Sequence, residues 1–171
     1  MPRARALVFG ATALGVLVTD QVTKTMVRSS MEVGQSDPVI EGVLWLTRVH
    51  NTGAAFGLFR GQQWMLVIIA VAVLAVIAYV IARVRLESPA ARTALALVSA
   101  GALGNLIDRV ALGGVTDFLD VGWWPVFNSA DISLSVGVAI LVWWVLFGKE
   151  HRNGHADSGD RRAREVPDPG E

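Results

Sequence analysis

The sequence predicts an all-α membrane protein with four transmembrane helices, both termini in the cytoplasm (N-in/C-in), and a small extracytoplasmic region of β-sheet and loops. Three observations support this fold class. Apolar residues make up 53% of the 171 residues, charged residues only 18%, and the mean hydropathy is +0.47, which is too apolar for an ordinary soluble domain. Four apolar runs are long enough to cross a bilayer, which takes about 20 helical residues. Seven basic residues lie next to the ends of these runs that share one side of the membrane.

The four predicted spans cover roughly residues 6–27, 64–82, 91–107 and 129–147. The second contains no charged residue and carries the strongest signal, whereas the third is short and rich in Ala and Gly. The first resembles a signal peptide, but its apolar run continues into TDQVTK without a small-residue cleavage site, so we interpret it as a retained span. Residues 1–148 are therefore predicted to form one membrane domain.

The distribution of basic residues predicts the orientation of the spans. Those before span 1, between spans 2 and 3, and after span 4 all fall on one side, which the positive-inside rule makes cytoplasmic. They are Arg3, Arg5, Arg83, Arg85, Arg92, Lys149 and Arg152. The two long connections, residues 28–63 and 108–128, then lie outside.

The first outer connection carries a strand signal. Residues 43–50 alternate between two faces with the period of two expected of a strand, and Asn51-Thr52-Gly53 follows as a turn signal. We therefore expect a small sheet on the outer membrane surface. The polar tail, residues 149–171, has almost no large apolar side chain and is predicted to be a disordered cytoplasmic segment.

Several functional classes are disfavoured by composition. The chain has no Cys, so disulfides, thiolate metal sites and Cys nucleophiles are excluded. Its three His are scattered, and neither a metal nor an organic cofactor is expected. A formal net charge of zero without a basic stripe gives no reason to expect nucleic acid binding.

Polar side chains gather at the predicted outer ends of the spans, where a charge buried in lipid is costly and is retained mainly where it pairs or functions. Each has a structural alternative. Asp20 and Lys24 could be an interfacial ion pair with Lys24 snorkelling, and NTG an ordinary turn. Asn105 and Asp108 are predicted to serve as scaffold, bound to Arg109 or to loop backbone. Asp131 could simply be an acid favoured by the dipole of a helix that Asn128 or Ser129 caps.

The shared location of these groups favours a functional interpretation. The predicted topology places them all at the outer face, including Asp117 in VTDFLD. Two neighbouring carboxylates can share one proton, so that one accepts a proton from water while the other donates one to an amide carbonyl.

The motifs TDQVTK (19–24), NTGAAFG (51–57), GNLIDR (104–109), VTDFLD (115–120) and FNSAD (127–131), in this order, resemble those of signal peptidase II, the bacterial lipoprotein signal peptidase. The resemblance implies a membrane aspartic protease with Asp117 and Asp131 as its catalytic dyad. It also implies that a further set of residues supports the site or binds substrate: Asp20, Lys24, Asn51, Gly53, Asn105, Asp108, Arg109 and Asn128.

The resemblance further implies the substrate and the setting. The substrate would be a prolipoprotein whose Cys carries an S-diacylglyceryl group, cleaved on the N-terminal side of that Cys, and globomycin would inhibit. The enzyme would lie in the bacterial cytoplasmic (inner) membrane with its active site at the extracytoplasmic face, in contact with membrane lipid. We expect it to act as a monomer.

Two other functions are compatible with intramembrane acids. One is a small transporter or proton channel, which would require charge near mid-membrane. The other is a structural or assembly subunit that docks through the outer sheet. Within the protease hypothesis, Asp108 is the reserve catalyst, Asp131 the more often ionised member of the dyad, and Asp117 the more often protonated one.

Overall fold

The computed structural model of the chain describes residues 3–53, 59, 61–84 and 88–147. It contains four helices that are long and apolar enough to cross a membrane, which confirms the four-span prediction. They are α1 (Arg3–Ser30), α2 (Gln63–Arg83), α3 (Pro89–Leu112) and α4 (Ser129–Phe147). The predicted disordered tail, residues 149–171, lies outside the described residues. The N-in/C-in orientation and the single membrane domain over residues 1–148 stay predictions.

Helix α3 is longer than predicted because its ends are set by caps rather than by hydropathy. The Ser88 hydroxyl oxygen accepts a hydrogen bond from the backbone N–H of Ala91 at 3.3 Å, and Pro89 occupies the first turn, where it is well tolerated. At the other end, the helix continues past Asp108 to Gly113, whose φ of 80° terminates it in the left-handed conformation. The predicted end at residue 107 was therefore too early.

Helix α3 is the central helix of the bundle and packs against α1, α2 and α4. Half of its most apolar stretch is buried, against at most 11% for the other three helices. Close approach depends on small residues: a Cβ added to Gly101 would lie 2.5 Å from the Ala130 carbonyl oxygen, and one added to Gly137 would lie 2.8 Å from that of Ala94. The glycines of α3 and α4 thus permit tight helix packing.

A three-stranded antiparallel sheet in the order β1-β2-β3 lies at the end of α1, with strands β1 (Ser36–Ile40), β2 (Leu44–Asn51) and β3 (Val115–Asp120). The predicted strand corresponds to β2, whereas the strand in VTDFLD was not predicted. Phe118 packs on Val27 of α1 and on Met31, which directly follows the helix, and the Arg48 guanidinium donates to the Arg28 carbonyl oxygen at 3.0 Å. These contacts hold the sheet against α1 and carry Asp117 towards the helices.

Candidate active site

Asp117 and Asp131 line the same cavity, of about 440 Å³, although they come from β3 and from the first turn of α4. The cavity is polar around the dyad and largely apolar elsewhere. Its other polar lining residues are Asn51, Asn105, Arg109 and Ser135; its apolar lining comes from Leu66, Ile69, Ala70 and Val73 of α2, Ala102 of α3, Leu134 of α4, and Val115, Trp124, Pro125, Val126 and Phe127. The structure thus brings the two predicted catalytic residues to one concave site.

Asp117 is almost fully buried and is held by two side-chain amides. Its Oδ1 accepts a hydrogen bond from Asn128 Nδ2 at 2.7 Å, and its Oδ2 accepts one from Asn51 Nδ2 at 2.8 Å. Burial has the largest effect on the pKa of this carboxyl and raises it. The hydrogen bond from Asn51 lowers the pKa because it favours the charged form, whereas the nearby Asp131 charge raises it. The net result raises the pKa of Asp117 to about 6. Asp117 is therefore suited to hold a proton near neutral pH.

Asp131 closes a reciprocal capping box at the start of α4. Asn128 Oδ1 accepts a hydrogen bond from the Asp131 backbone N–H, and Asp131 Oδ2 accepts one from the Asn128 backbone N–H, both at 3.1 Å. The other oxygen, Oδ1, accepts from Asn105 Nδ2 at 2.8 Å. The helix-terminus alternative is therefore correct for Asp131. The same bonds also fix its carboxylate at the edge of the cavity, so the structural role does not exclude a catalytic one.

The amide of Asn105 is oriented by Lys24. The Lys24 ammonium is fully buried and donates to Asn105 Oδ1 at 2.9 Å. Because an ammonium only donates, it fixes the oxygen of the amide on its own side and leaves Nδ2 to face Asp131. Asn128 Nδ2 also donates to Asn105 Oδ1 at 3.2 Å, so one amide network connects the two aspartates.

Lys24 belongs to a buried ion cluster behind this network. Its ammonium lies 2.8 Å from Asp20 Oδ2 and 3.6 Å from Asp108 Oδ2, and the Arg28 guanidinium lies 3.6 Å from Asp108 Oδ1. The predicted Asp20–Lys24 ion pair is correct, but the snorkelling of Lys24 is wrong. The side chain stays inside because Asn105 on α3 and two carboxylates bind it there.

Asp20 has a second role, because it binds the N-terminus of α4. Its Oδ1 accepts hydrogen bonds from the Ser129 hydroxyl at 2.8 Å and from the Ala130 backbone N–H at 2.9 Å. A carboxylate of α1 therefore neutralises unpaired N–H groups in the same turn that carries Asp131. Gly104 makes room for it, since a Cβ at this position would clash with Asp20 Oδ2.

Asp108 lies behind β3 and does not line the cavity. Its Oδ2 accepts a hydrogen bond from the Thr116 backbone N–H at 3.0 Å, and its cationic neighbours are Lys24 and Arg28. The predicted partners were Arg109 or loop backbone; the structure instead pairs Asp108 with backbone of strand β3, and the Arg109 guanidinium binds other groups. This position supports the scaffold role for Asp108 and disfavours it as the reserve catalyst.

Arg109 and Asn51 of the NTG turn also line the cavity. Asn51 Oδ1 accepts the Gly53 backbone N–H at 3.0 Å, which makes the predicted turn, while Asn51 Nδ2 binds Asp117. The Arg109 guanidinium lines the cavity and donates to the carbonyl oxygens of Gly53 at 3.5 Å and Asn105 at 3.4 Å. Residues 54–57 of the NTGAAFG motif lie outside the described residues.

Three supporting residues were not singled out from the sequence. Arg28 binds Asp108 and donates to the Thr116 hydroxyl, Gln21 donates to Asp20 and Asp108, and Gln63 donates to the Arg109 carbonyl oxygen. Arg28 follows Lys24 by one helical turn on the Asp20–Lys24 face, and this spacing was the available signal. For Gln21 and Gln63 the sequence offered none. Among the described residues, no cluster of three or more His, Cys, Asp or Glu side chains could hold a metal ion.

Comparison with known proteins gives consistent results. Residues 12–147 match the family model described as signal peptidase (SPase) II. The chain is 46% identical over 141 residues to the lipoprotein signal peptidase of Geobacter sulfurreducens, covering 78% of this chain and 88% of the relative. It is 44% identical over 148 residues to that of Syntrophomonas wolfei, covering 85% and 98%. A solved bacterial membrane enzyme, determined in meso at 2.3 Å resolution, superimposes with a TM-score of 0.78 at 36% identity, covering 81% of this chain and 87% of that one.

Proposed function

Because the chain belongs to the signal peptidase II family of membrane aspartic proteases, we propose that it removes the signal peptide from prolipoproteins whose Cys carries an S-diacylglyceryl group. Cleavage falls on the N-terminal side of that Cys. One observation carries the assignment of the catalytic residues: two carboxylates from separate elements, Asp117 and Asp131, line one cavity and are bound by the same residue, Asn128.

The proposed reaction uses one proton on the dyad. Asp131 accepts a proton from a water molecule while the oxygen of that water attacks the scissile carbonyl carbon. At the same time, Asp117 donates its proton to the carbonyl oxygen. The tetrahedral intermediate then collapses: the C–N bond breaks, Asp131 protonates the leaving amine, and Asp117 recovers its proton from the intermediate's hydroxyl. The raised pKa of Asp117 supports its role as the initial acid.

The fixed hydrogen bonds of the dyad support this division of roles. Each of its four carboxylate oxygens accepts a hydrogen bond from an N–H group, so neither side chain rotates freely. Such preorganisation is a major source of transition-state stabilisation, because the groups do not have to reorient as charge develops. Arg109, at the rim, is a cationic group that can bind substrate carbonyl oxygens.

The apolar side of the cavity supports a lipidated substrate. Its walls come from α2 and α4, two membrane-spanning helices that both pack on α3, so acyl chains can stay among apolar side chains while the peptide reaches the dyad. Trp123, 81% exposed, and Trp124, 48% exposed, adjoin this side, as expected of residues at a membrane interface. With the basic residues cytoplasmic, the site lies at the extracytoplasmic face of the bacterial inner membrane.

The decisive experiment compares three single substitutions in the purified full-length protein: Asp117→Asn, Asp131→Asn and Asp108→Asn. Cleavage of a lipidated precursor should be lost in the first two, whereas the third should keep cleavage in the fraction that stays folded. Unlipidated precursor should not be cleaved, and globomycin should inhibit. Full activity of Asp117→Asn would reject the assignment.

The transporter alternative has its own test. It predicts an ion flux in proteoliposomes that disappears in Asp117→Asn, without precursor cleavage. The protease proposal predicts globomycin-sensitive cleavage and no such flux. Clustering of the acids at one end of the bundle, rather than at mid-membrane, favours the protease.

A further inference from the structure

One polar side chain on the apolar side of the cavity takes no part in the network described above. The α4 residues that line the cavity are Asp131, Leu134 and Ser135, which lie at positions i, i+3 and i+4 and so share one face of the helix. Ser135 is one helical turn, about 6 Å along the axis, further into the membrane-spanning segment than Asp131. Leu134 and apolar side chains of α2 line the same cavity.

The hydroxyl of Ser135 differs from those of other helical serines. A Ser in a membrane helix usually donates to the carbonyl oxygen four residues earlier. Ser133 does so to Ser129 at 3.0 Å, and Ser99 to Leu95 at 2.7 Å. Within the described part of the chain, the Ser135 hydroxyl makes no hydrogen bond, and the side chain is exposed. It is thus an available donor on a wall that is otherwise apolar.

An available donor at this depth suits a carbonyl oxygen. A carbonyl group in apolar surroundings is destabilised unless it accepts a hydrogen bond. A lipidated precursor brings carbonyl groups of two kinds below the scissile bond: peptide carbonyls, which are unpaired where the signal helix ends, and the ester carbonyls of the diacylglyceryl group. Both present the same acceptor chemistry to a hydroxyl.

We propose that Ser135 is a specificity-determining residue that donates a hydrogen bond to a carbonyl oxygen of the bound precursor, one helical turn below the dyad. The inference rests on the proposed function and deepens it, because it assigns a polar contact to the lipid-facing part of the site. Since Ser135 does not reach the reacting atoms, its bond stabilises bound substrate and transition state alike. It therefore affects KM rather than kcat.

The test uses Ser135→Ala and, as a matched control on the same helix, Ser133→Ala, which removes a hydroxyl that binds only its own backbone. Ser135→Ala should raise KM for lipidated precursor about 5- to 10-fold, the loss of one hydrogen bond, with kcat and the pH profile unchanged. Ser133→Ala should match the wild type. Thermal unfolding in detergent, equal for both variants, shows that the fold is intact.

Two precursors identify the acceptor: one with the ordinary diacyl ester lipid, the other with a dialkyl ether lipid that lacks the ester carbonyls. An increase in KM with the ester substrate alone assigns the bond to an ester carbonyl, and an increase with both assigns it to a peptide carbonyl. An unchanged KM with both substrates would overturn the proposal, as would an equal increase in Ser133→Ala. Absence of cleavage by the wild-type protein would instead reject the proposed function, and the role of Ser135 with it.

Discussion

Replacing Asp117 with Asn should abolish cleavage. It should also make the variant more stable relative to the wild type at neutral pH than it is at low pH. The folded-state pKa of Asp117 is raised from 3.8 to about 6, so between these values the folded state binds more protons than the unfolded state. The contribution of Asp117 to the wild-type free energy of unfolding is therefore fully present below about pH 4 and is lost as pH rises through about 6. A difference of about two pKa units corresponds to roughly 3 kcal/mol.

The variant lacks this titration but also loses one amide bond, since an Asn side chain cannot accept from both Asn51 and Asn128. That loss, about 1–2 kcal/mol, does not depend on pH. The difference in unfolding free energy, variant minus wild type, should thus increase by roughly 3 kcal/mol between pH 4 and pH 8.

Thermal unfolding in detergent across this pH range measures the effect, with Asp120→Asn on the same strand as the control. The Asp120 carboxylate binds the Thr47 hydroxyl and the Gly122 backbone N–H, outside the cavity. Roughly 3 kcal/mol corresponds to a change of about 6–12 °C in the Tm difference for a chain of this size. A Tm difference that stays constant between pH 4 and pH 8 would refute the reasoning that burial holds a proton on Asp117.

Three further predictions concern the surroundings of the dyad. Gly104→Ala should destabilise the fold by about 1–3 kcal/mol because its Cβ meets the Asp20 carboxylate, whereas Gly10→Ala, with nothing within 4 Å, should not; thermal unfolding of the pair would contradict the packing argument if both behaved alike. Lys24→Met should cost about 3–5 kcal/mol by leaving buried Asp20 unpaired, and adding Asp20→Asn should recover part of the loss, unless the two side chains are uncoupled. Asn128→Ala should lower kcat about 100-fold and move the alkaline limb of the pH profile to higher pH, because the Asn128 hydrogen bond favours the charged form of the Asp117 carboxyl. An alkaline limb at unchanged pH would argue against this contact.

Hydropathy was sufficient to predict the four spans, but the features that assemble the site depend on tertiary contacts. The strand in VTDFLD escaped prediction because residues 115–118 are all buried, so the alternation that marks a half-exposed strand is absent. The end of α3 was misplaced because charge at Asp108 interrupts hydropathy but not the helix, which continues to its Gly113 cap. Lys24 was expected to snorkel because its partner Asn105 is 81 residues away in sequence.

Motif order indicated which residues matter, but not how they are connected. Asn128 was predicted as a helix cap and as a supporting residue, and the structure unites the two, since one side chain caps α4 and binds Asp117. No local pattern relates Asp20 to the start of α4, because that contact joins residues 110 apart. Local capping chemistry could therefore be predicted from sequence, whereas contacts between helices could not.

The charges around the site balance only when the dyad carries one proton. Among the described residues, the groups that interact electrostatically here are four acids, Asp20, Asp108, Asp117 and Asp131, and three cations, Lys24, Arg28 and Arg109. Three positive charges and one proton neutralise four carboxylates, and an uncompensated charge in a buried cluster is costly. One acid and one base are also what the proposed reaction requires. Infrared difference spectra of the carboxyl C=O stretch should therefore show one protonated carboxyl near pH 5 that disappears in Asp117→Asn. A band that persists in that variant and is lost in Asp131→Asn would assign the proton to the other partner and reverse the roles of acid and base.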